Sequence, residues 1–280
     1  MNVVPKERQI KVLSALVEGN SIRSIERMTG THQDTITRLL CRVGEGCARL
    51  LDEKMRDLSC RNIQVDEIWT FVRKKQRVLT EKERLNHTIG DQYVFVALDA
   101  DTRLIPLFHV GKRDGRTAIR FMTDLQSRLI NRIQLTTDAF APYEWAVEGA
   151  FGSDVDYAQL VKLYRSDGEA GRGRYAPPEI TEAISTTING TPDSWKVSTS
   201  YVERQNLTMR MAMRRLTRLT NAFSKKLDNL KAALALHFAW YNFGRIHGSL
   251  RVTPAMEAGI ADHIWTMEGL LEWSSLCANS

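Results

Sequence analysis

The sequence predicts an α/β protein in which a small all-α domain precedes a mixed sheet with flanking helices. Three observations predict this class. Apolar residues recur at helical spacing over residues 6–57, the period shortens to that of a strand after Arg61, and strand-like and helix-like runs then alternate as far as Leu163. Alternation of this kind is typical of a sheet that is covered by helices.

Composition places the chain among ordinary globular proteins. Its 280 residues are 43% hydrophobic and 26% charged, which is enough for one sizeable domain with a smaller companion. No apolar run approaches the roughly 20 residues of a transmembrane helix, and the first residues lack the apolar segment of a secretion signal. We therefore expect a cytoplasmic protein without a membrane partner.

Cysteine spacing argues against a structural zinc site. Cys41, Cys47, Cys60 and Cys277 form no Cys-x-x-Cys pair, and no histidine lies at zinc-ligand spacing from any of them. We expect reduced thiols in a reducing compartment.

Positive charge is concentrated late in the chain. The formal net charge is +6. Eight basic residues and only one acidic residue, Asp228, fall between Arg204 and Lys231: Arg204, Arg210, Arg214, Arg215, Arg218, Lys225, Lys226 and Lys231. Such a run is commonly a solvated helix face, but directly after a candidate catalytic glutamate it favours binding to a polyanion.

Residues 1–58 are predicted to form a helix-turn-helix domain. Three amphipathic helices are expected, with Ser21 and Thr31 as N-caps of the second and third. The third helix would be the DNA reader, and its exposed Gln33, Thr35 and Arg38 can contact bases or phosphates. The alternative is a helical packing unit with no role in DNA binding.

Residues 59–255 are predicted to form the mixed sheet with its helices. Strands are expected at 61–71, 93–98, 104–110, 133–137 and 155–163, and helices at 116–129 and 143–151. This order, β-β-β-α-β-α-β, is that of an RNase H-like domain. Residues 165–199 are rich in Gly, Pro, Ser and Thr and are expected to be an insertion loop before a long helix from about Tyr201. Residues 256–280 would form a helical tail.

Three acidic residues are candidates for a metal site. Asp66 stands within a strand, Asp138 directly follows another, and Glu203 lies on the first turn of the helix after the insertion. In this strand order the first and fourth strands are neighbours, so their carboxylates can meet. Asp138 could instead cap a helix, and Glu203 could favour a helix dipole. Glu67 could replace Asp66, but strand alternation predicts that only one of the two can join the site.

Four ordered blocks resemble bacterial insertion-sequence transposases of the DDE superfamily, most of all the group named after the first insertion sequence described. The blocks are Gln64–Trp69, Leu135–Asp138, Ser200–Asn206, and Trp240–Leu250 with Thr253–Ala255. The resemblance covers about residues 8–265. It implies that Asp66, Asp138 and Glu203 are both the catalytic residues and the metal ligands. Arg210, seven positions after Glu203, would bind a DNA phosphate, and Arg214 and Lys225 would make further DNA contacts.

The resemblance also implies a reaction and its partners. Two Mg²⁺ ions about 3.5–4 Å apart, or Mn²⁺ in their place, would support cleavage at the ends of a mobile element and attack of the freed 3′-OH on target DNA. Asp66 would bridge both ions, Asp138 would hold one and Glu203 the other. Double-stranded DNA, in the form of terminal inverted repeats and target, would be bound by a homodimer or larger assembly in the bacterial nucleoid. A domesticated DNA-binding regulator without cleavage, an RNase H-like nuclease without strand transfer, and a protein whose acids are only helix caps are the alternatives.

Overall fold

A six-stranded mixed sheet with helices on both faces forms the centre of the protein, so the predicted α/β class is confirmed. The computed structural model describes residues 4–164, 180–217 and 220–276. The strands are β1 Asn62–Val72, β2 Gly90–Asp99, β3 Leu107–Gly111, β4 Ile133–Thr137, β5 Val155–Tyr164 and β6 Ile180–Asn189. The helices are α1 Lys6–Val17, α2 Ile22–Thr29, α3 Gln33–Lys54, α4 Glu81–Arg84, α5 Gly115–Ser127, α6 Pro142–Phe151, α7 Ser200–Ala212, α8 Leu227–Ala239, α9 Pro254–Glu257 and α10 Met267–Leu276.

The strand order in the sheet is β3-β2-β1-β4-β5-β6. The pairs β1–β4 and β4–β5 are parallel, and the other three pairs are antiparallel. The predicted hairpin of β2 and β3 is confirmed, and so is the prediction that the first and fourth strands are neighbours. Asp66 therefore lies on β1, and Asp138 directly follows the neighbouring strand β4.

The two faces of the sheet are covered by different helices. On the face that carries Asp66, Phe108 of β3 stacks on Phe238 of α8, with 4.6 Å between ring centroids. On the opposite face Phe95, the cross-strand partner of Glu67, packs against Phe121 of α5 at 5.7 Å. Helices α7 and α8 thus lie over one face, and α5 and α6 lie over the other.

Residues 180–189 correct one expectation. They form the edge strand β6, paired antiparallel with β5, where the sequence was expected to be a loop from 165 to 199. The side chains of 181–188 are all exposed, so the segment has no buried stripe that would reveal a strand. The β-branched residues Thr181, Ile184, Thr186, Thr187 and Ile188 nevertheless suit an extended chain. Residues 165–179 lie outside the described residues.

Capping residues mark both ends of α2 and the start of α3. Ser21 accepts a hydrogen bond from the backbone N–H of Ser24, and Gly30 ends α2 at φ 65°. The predicted cap at Thr31 was wrong, because His32 is the N-cap of α3 and its Nδ1 accepts from the N–H of Asp34. Thr31 is buried instead.

Helix α3 packs closely on the C-terminal helices. A Cβ at Gly44 would overlap the backbone of Ala232 in α8, and one at Gly46 would overlap Ser274 in α10. Leu270 and Leu271 of α10 are buried, so this helix of the C-terminal tail packs on the core. The N-terminal helices therefore share one apolar core with the helices that cover the sheet.

Two further findings concern the whole of the described chain. Cys41, Cys47 and Cys60 are free thiols, as expected, and Cys277 lies outside the described residues. Among the residues with described structure, no helix has both the length and the apolar character that crossing a bilayer requires.

Candidate metal centre

Three carboxylates meet beside β1, at the carboxyl end of the neighbouring strand β4. One oxygen from each of Asp66, Glu67 and Asp138 lies within 4.8 Å of the other two. Carboxylate oxygens are the hard ligands that Mg²⁺ and Mn²⁺ prefer. This group of three is therefore a candidate site for a divalent cation.

The short pairing between β1 and β4 creates the space for this group. Strand β4 pairs with β1 only along residues 62–64 and ends at Thr137, while β1 continues to Val72. Beside Asp66 and Glu67 the sheet is open on that side, and Asp138 follows directly. The prediction that alternation admits only one of Asp66 and Glu67 was wrong, because no strand separates the two faces at this point.

Both oxygens of Asp66 accept hydrogen bonds. The backbone N–H of Glu67 donates to Oδ1 at 2.8 Å, and Nδ2 of Asn206 donates to Oδ2 at 2.8 Å. Burial raises the pKa of Asp66 to about 6, and the charges of Asp138 and Glu203 add to the rise against these two donors. The carboxylate is thus held in place while its charge is poorly compensated.

Glu67 is well enclosed, with a side chain only 3% exposed. Burial raises its pKa to about 7 and the charge of Asp138 contributes to the rise, while the Tyr143 hydroxyl and Arg113 oppose it. The Tyr143 hydroxyl lies near enough to the Glu67 carboxylate to affect its pKa, but Oε1 of Glu67 and that hydroxyl form no hydrogen bond of normal geometry within the described part of the chain. A buried carboxylate oxygen without a partner is costly unless a cation or donor reaches it.

Arg113 bridges two of the carboxylates from the segment between β3 and α5. Its Nε lies 3.4 Å from Oε2 of Glu67, and its Nη2 lies 3.2 Å from Oδ2 of Asp138. The guanidinium also stacks over the Phe140 ring at 4.0 Å. Its positive charge partly balances the acidic group.

Glu203 lies near this group but not within it. It is on the first turn of α7, its carboxylate pairs with Lys162 of β5, and Oε1 accepts from Oγ1 of Thr199 at 2.7 Å. Its charge still raises the pKa of Asp66. Asp138, in turn, is not the helix cap considered from the sequence, because the N-cap of α6 is Ala141.

The side chain of Gln64 holds α7 over the sheet. Its Oε1 accepts from the backbone N–H groups of Tyr201 and Val202, at 3.0 and 3.2 Å. These are N–H groups of the first turn, which have no partner within the helix. Glu203 and Asn206 are one turn apart on α7. The two hydrogen bonds to Gln64 therefore help to position both side chains relative to Asp66.

The six predicted DNA-binding residues fall on two separate parts of the chain. Gln33, Thr35 and Arg38 lie on the first turns of α3, where Gln33 and Arg38 are exposed. Nη1 of Arg210 donates to the carbonyl of Leu216 at 3.1 Å.

The other two of the six lie beyond α7. Helix α7 ends at Ala212, so Arg214 lies beyond it and not on the helix face that carries Arg210. Arg214 and Lys225 are both exposed. Arg218 of the basic run lies outside the described residues.

Four residues of the centre were missed from the sequence. Gln64 and Asn206 stood within the resemblance blocks without a role, while Arg113 and Tyr143 were not considered as site residues. Asn206 carried a usable signal, since a spacing of three from Glu203 places both on one helix face. No model of a known protein family matches this chain, and no curated protein matches its sequence.

Proposed function

We propose that this protein is a divalent-cation-dependent DNA transposase of the DDE type, built on an RNase H-like domain. The observation that carries the proposal is the meeting of the Asp66, Glu67 and Asp138 carboxylates beside β1, at the carboxyl end of β4 in a mixed sheet. Phosphodiester chemistry on DNA needs such a set of hard ligands held by rigid elements. The resemblance of four ordered sequence blocks to insertion-sequence transposases supports the same assignment.

The donor set fits Mg²⁺, with Mn²⁺ as a substitute. Three neighbouring carboxylates repel one another, and Oε1 of Glu67 is buried without a partner in the described chain. When bound there, the cation supplies Lewis acidity at a phosphate oxygen and lowers the pKa of a water molecule. Glu203 is the expected further ligand for a second ion, because it lies on the same helix face as Asn206, the donor to Asp66.

Arg113 and Lys162 supply positive charge around the acidic group. Arg113 contacts Glu67 and Asp138, and Lys162 contacts Glu203, so both basic groups lie where a DNA phosphate would approach the site. Arginine binds a phosphate through paired donors, and lysine binds it as a point charge. Their role is to orient the scissile strand.

DNA binding is assigned to the N-terminal helices and the basic segment after Glu203. Gln33, Thr35 and Arg38 would read an element end as part of a helix-turn-helix. Arg210, Arg214 and Lys225 would contact the phosphate backbone. A homodimer or larger assembly would hold two ends together in the cytoplasm, on nucleoid DNA.

The test uses a plasmid that carries this gene with its natural flanking DNA. We expect strand cleavage at the element ends with Mg²⁺, none with EDTA, and none for Asp138→Asn, which should still bind end DNA. Asp154→Asn is the matched control, because Asp154 is exposed and lies next to Arg132 outside the acidic group. Undiminished cleavage by Asp138→Asn would remove that residue from the site. End binding without any cleavage by the wild type would instead favour a DNA-binding regulator.

A further inference from the structure

A cavity separate from the metal centre lies where the N-terminal helices meet α8 and the segment after α7. Its volume is about 640 Å³, and it shares no residue with the metal centre. Pockets for small organic ligands usually enclose about 300–1,000 Å³. Gln33, Arg214 and Lys225, three of the residues predicted to contact DNA, line this cavity.

His237 of α8 is the unusual residue in the cavity wall. It is only 4% exposed, and neither ring nitrogen has a hydrogen-bond partner within the described residues. Burial, with a smaller effect of the Arg245 charge, lowers the pKa of His237 to about 4. The imidazole is therefore neutral at pH 7 and offers one donor and one acceptor. Buried polar groups are nearly always bonded. Because both nitrogens are shielded from solvent, a polar ligand would bond to them once the ring turns toward the cavity.

The cavity is strongly basic. Four basic side chains and one acidic side chain line it: Arg23, Arg214, Arg215, Lys225 and Asp34. Arg215 donates to Oγ of Ser224 and to the carbonyl of Asn229, at 2.9 and 2.8 Å, but makes no ion pair with a carboxylate of the described chain. Burial lowers its pKa to about 10. This excess of positive charge suits an anionic ligand.

The remaining wall is apolar and partly aromatic. Leu40, Leu236 and Phe223 contribute to it. A flat ring with apolar faces and polar edges would fill such a space. An anionic group on that ring would pair with the basic residues.

We propose that this cavity binds one nucleotide unit, with the base beside His237 and the phosphate against Arg23 and Arg214. The nucleotide is either a free one or an unstacked nucleotide of a DNA strand. Only the second source rests on the proposed function. Aromatic stacking and basic side chains are the usual means of holding a single-stranded nucleotide.

The test measures calorimetric binding to the full chain in EDTA, so that the metal centre does not contribute. The probes are deoxyadenosine 5′-monophosphate, deoxyadenosine, inorganic phosphate and an oligothymidylate strand. We expect the monophosphate to bind more tightly than the nucleoside or phosphate alone. His237→Phe and Arg214→Gln should each weaken it about tenfold, as loss of one hydrogen bond to a charged or buried group does. Arg116→Gln, the same change at an exposed site on α5, should have no effect.

Two outcomes support the proposal and identify the source. Competition between the strand and the monophosphate assigns the cavity to a nucleotide of DNA, whereas monophosphate binding without competition assigns it to a free nucleotide. Absence of saturable binding by either probe, or equal binding by wild type and both variants, overturns it. Arg214 is exposed, so its variant should fold even if that of His237 does not. Asp138→Asn should bind these probes like the wild type, which separates this result from the cleavage test.

Discussion

Asn206 joins helix α7 to strand β1 by donating from Nδ2 to Oδ2 of Asp66 at 2.8 Å. The amide therefore orients a carboxylate of the acidic group without belonging to that group. Partners of this kind fix a metal ligand, and their loss typically lowers metal affinity about 10–100-fold. Asn206 is accordingly a positioning residue for the proposed cation site.

Asn206→Ala should weaken Mn²⁺ binding about 10-fold or more, for that reason. The loss should be larger at pH 6 than at pH 8, because the Asn206 bond lowers the pKa of Asp66 and its removal favours the protonated form. Calorimetric titration with Mn²⁺ at both pH values is the measurement. Asn189→Ala is the control, since Nδ2 of Asn189 binds the carbonyl of Gly152, away from the centre. Equal affinities for the wild type and Asn206→Ala would show that the Asn206–Asp66 hydrogen bond does not contribute to cation binding.

Without divalent cations, the contribution of Asp66 and Glu67 to stability should fall as pH rises from about 4 to about 7. The pKa of Asp66 is raised from 3.8 to about 6, and that of Glu67 from 4.5 to about 7. In this window these two residues hold more protons in the native state than in the unfolded state, so their contribution to the free energy of unfolding falls as pH rises. Each of these shifts, of slightly more than two pKa units, corresponds to about 3 kcal/mol at most.

Neutral substitutions and cations should both reverse this loss. In EDTA at pH 8, Glu67→Gln should unfold a few degrees above the wild type, and at pH 4 the difference should disappear. Excess Mg²⁺ should stabilise the wild type and not Glu67→Gln, by about 2.7 kcal/mol at 100 times the dissociation constant. Thermal unfolding followed by circular dichroism measures both effects. The same dependence of stability on pH for the wild type and for Glu67→Gln in EDTA would contradict the assignment.

The parts of the fold that follow a local period could be predicted, while the parts that depend on tertiary context could not. Strand β4 matches its prediction from Ile133 to Thr137, because apolar and β-branched residues fill it. Strand β6 was missed, since an exposed edge strand buries no alternate face.

The centre itself was only partly predictable. Asp66 was found as a carboxylate within an apolar strand, and Asp138 was found from its position after another. Glu67 was set aside because alternation assumes a neighbouring strand on both sides. Arg113 and Tyr143 reach the group from other elements, and no spacing in the sequence relates them to it.

Gln64→Met should disturb the centre through α7. The substitution leaves the N–H groups of Tyr201 and Val202 without their acceptor, which costs about 1–3 kcal/mol at a buried position. Because Asn206 and Glu203 lie on the same helix, affinity for Mn²⁺ should fall together with stability. Unfolding and Mn²⁺ titration are measured on the same samples.

Gln134→Met is the matched control for that prediction. Gln134 lies on β4, and its amide also bonds to backbone, namely the N–H and C=O of Asp193. It does not contact α7, so this variant should lose stability while its Mn²⁺ affinity stays at the wild-type value. A similar loss of affinity in both variants would mean that general destabilisation, and not the position of α7, sets the affinity.

Arg113→Gln should increase the affinity of the free protein for Mn²⁺ at pH 8. The guanidinium pairs with Glu67 and Asp138, and a divalent cation must bind against its positive charge. Two partly exposed ion pairs contribute up to about 1 kcal/mol each, so a gain of about tenfold is expected. Arg116→Gln, which removes the same charge from an exposed position three residues later, should leave affinity unchanged. Weaker Mn²⁺ binding by Arg113→Gln than by Arg116→Gln would show that Arg113 supports the cation site and does not oppose it.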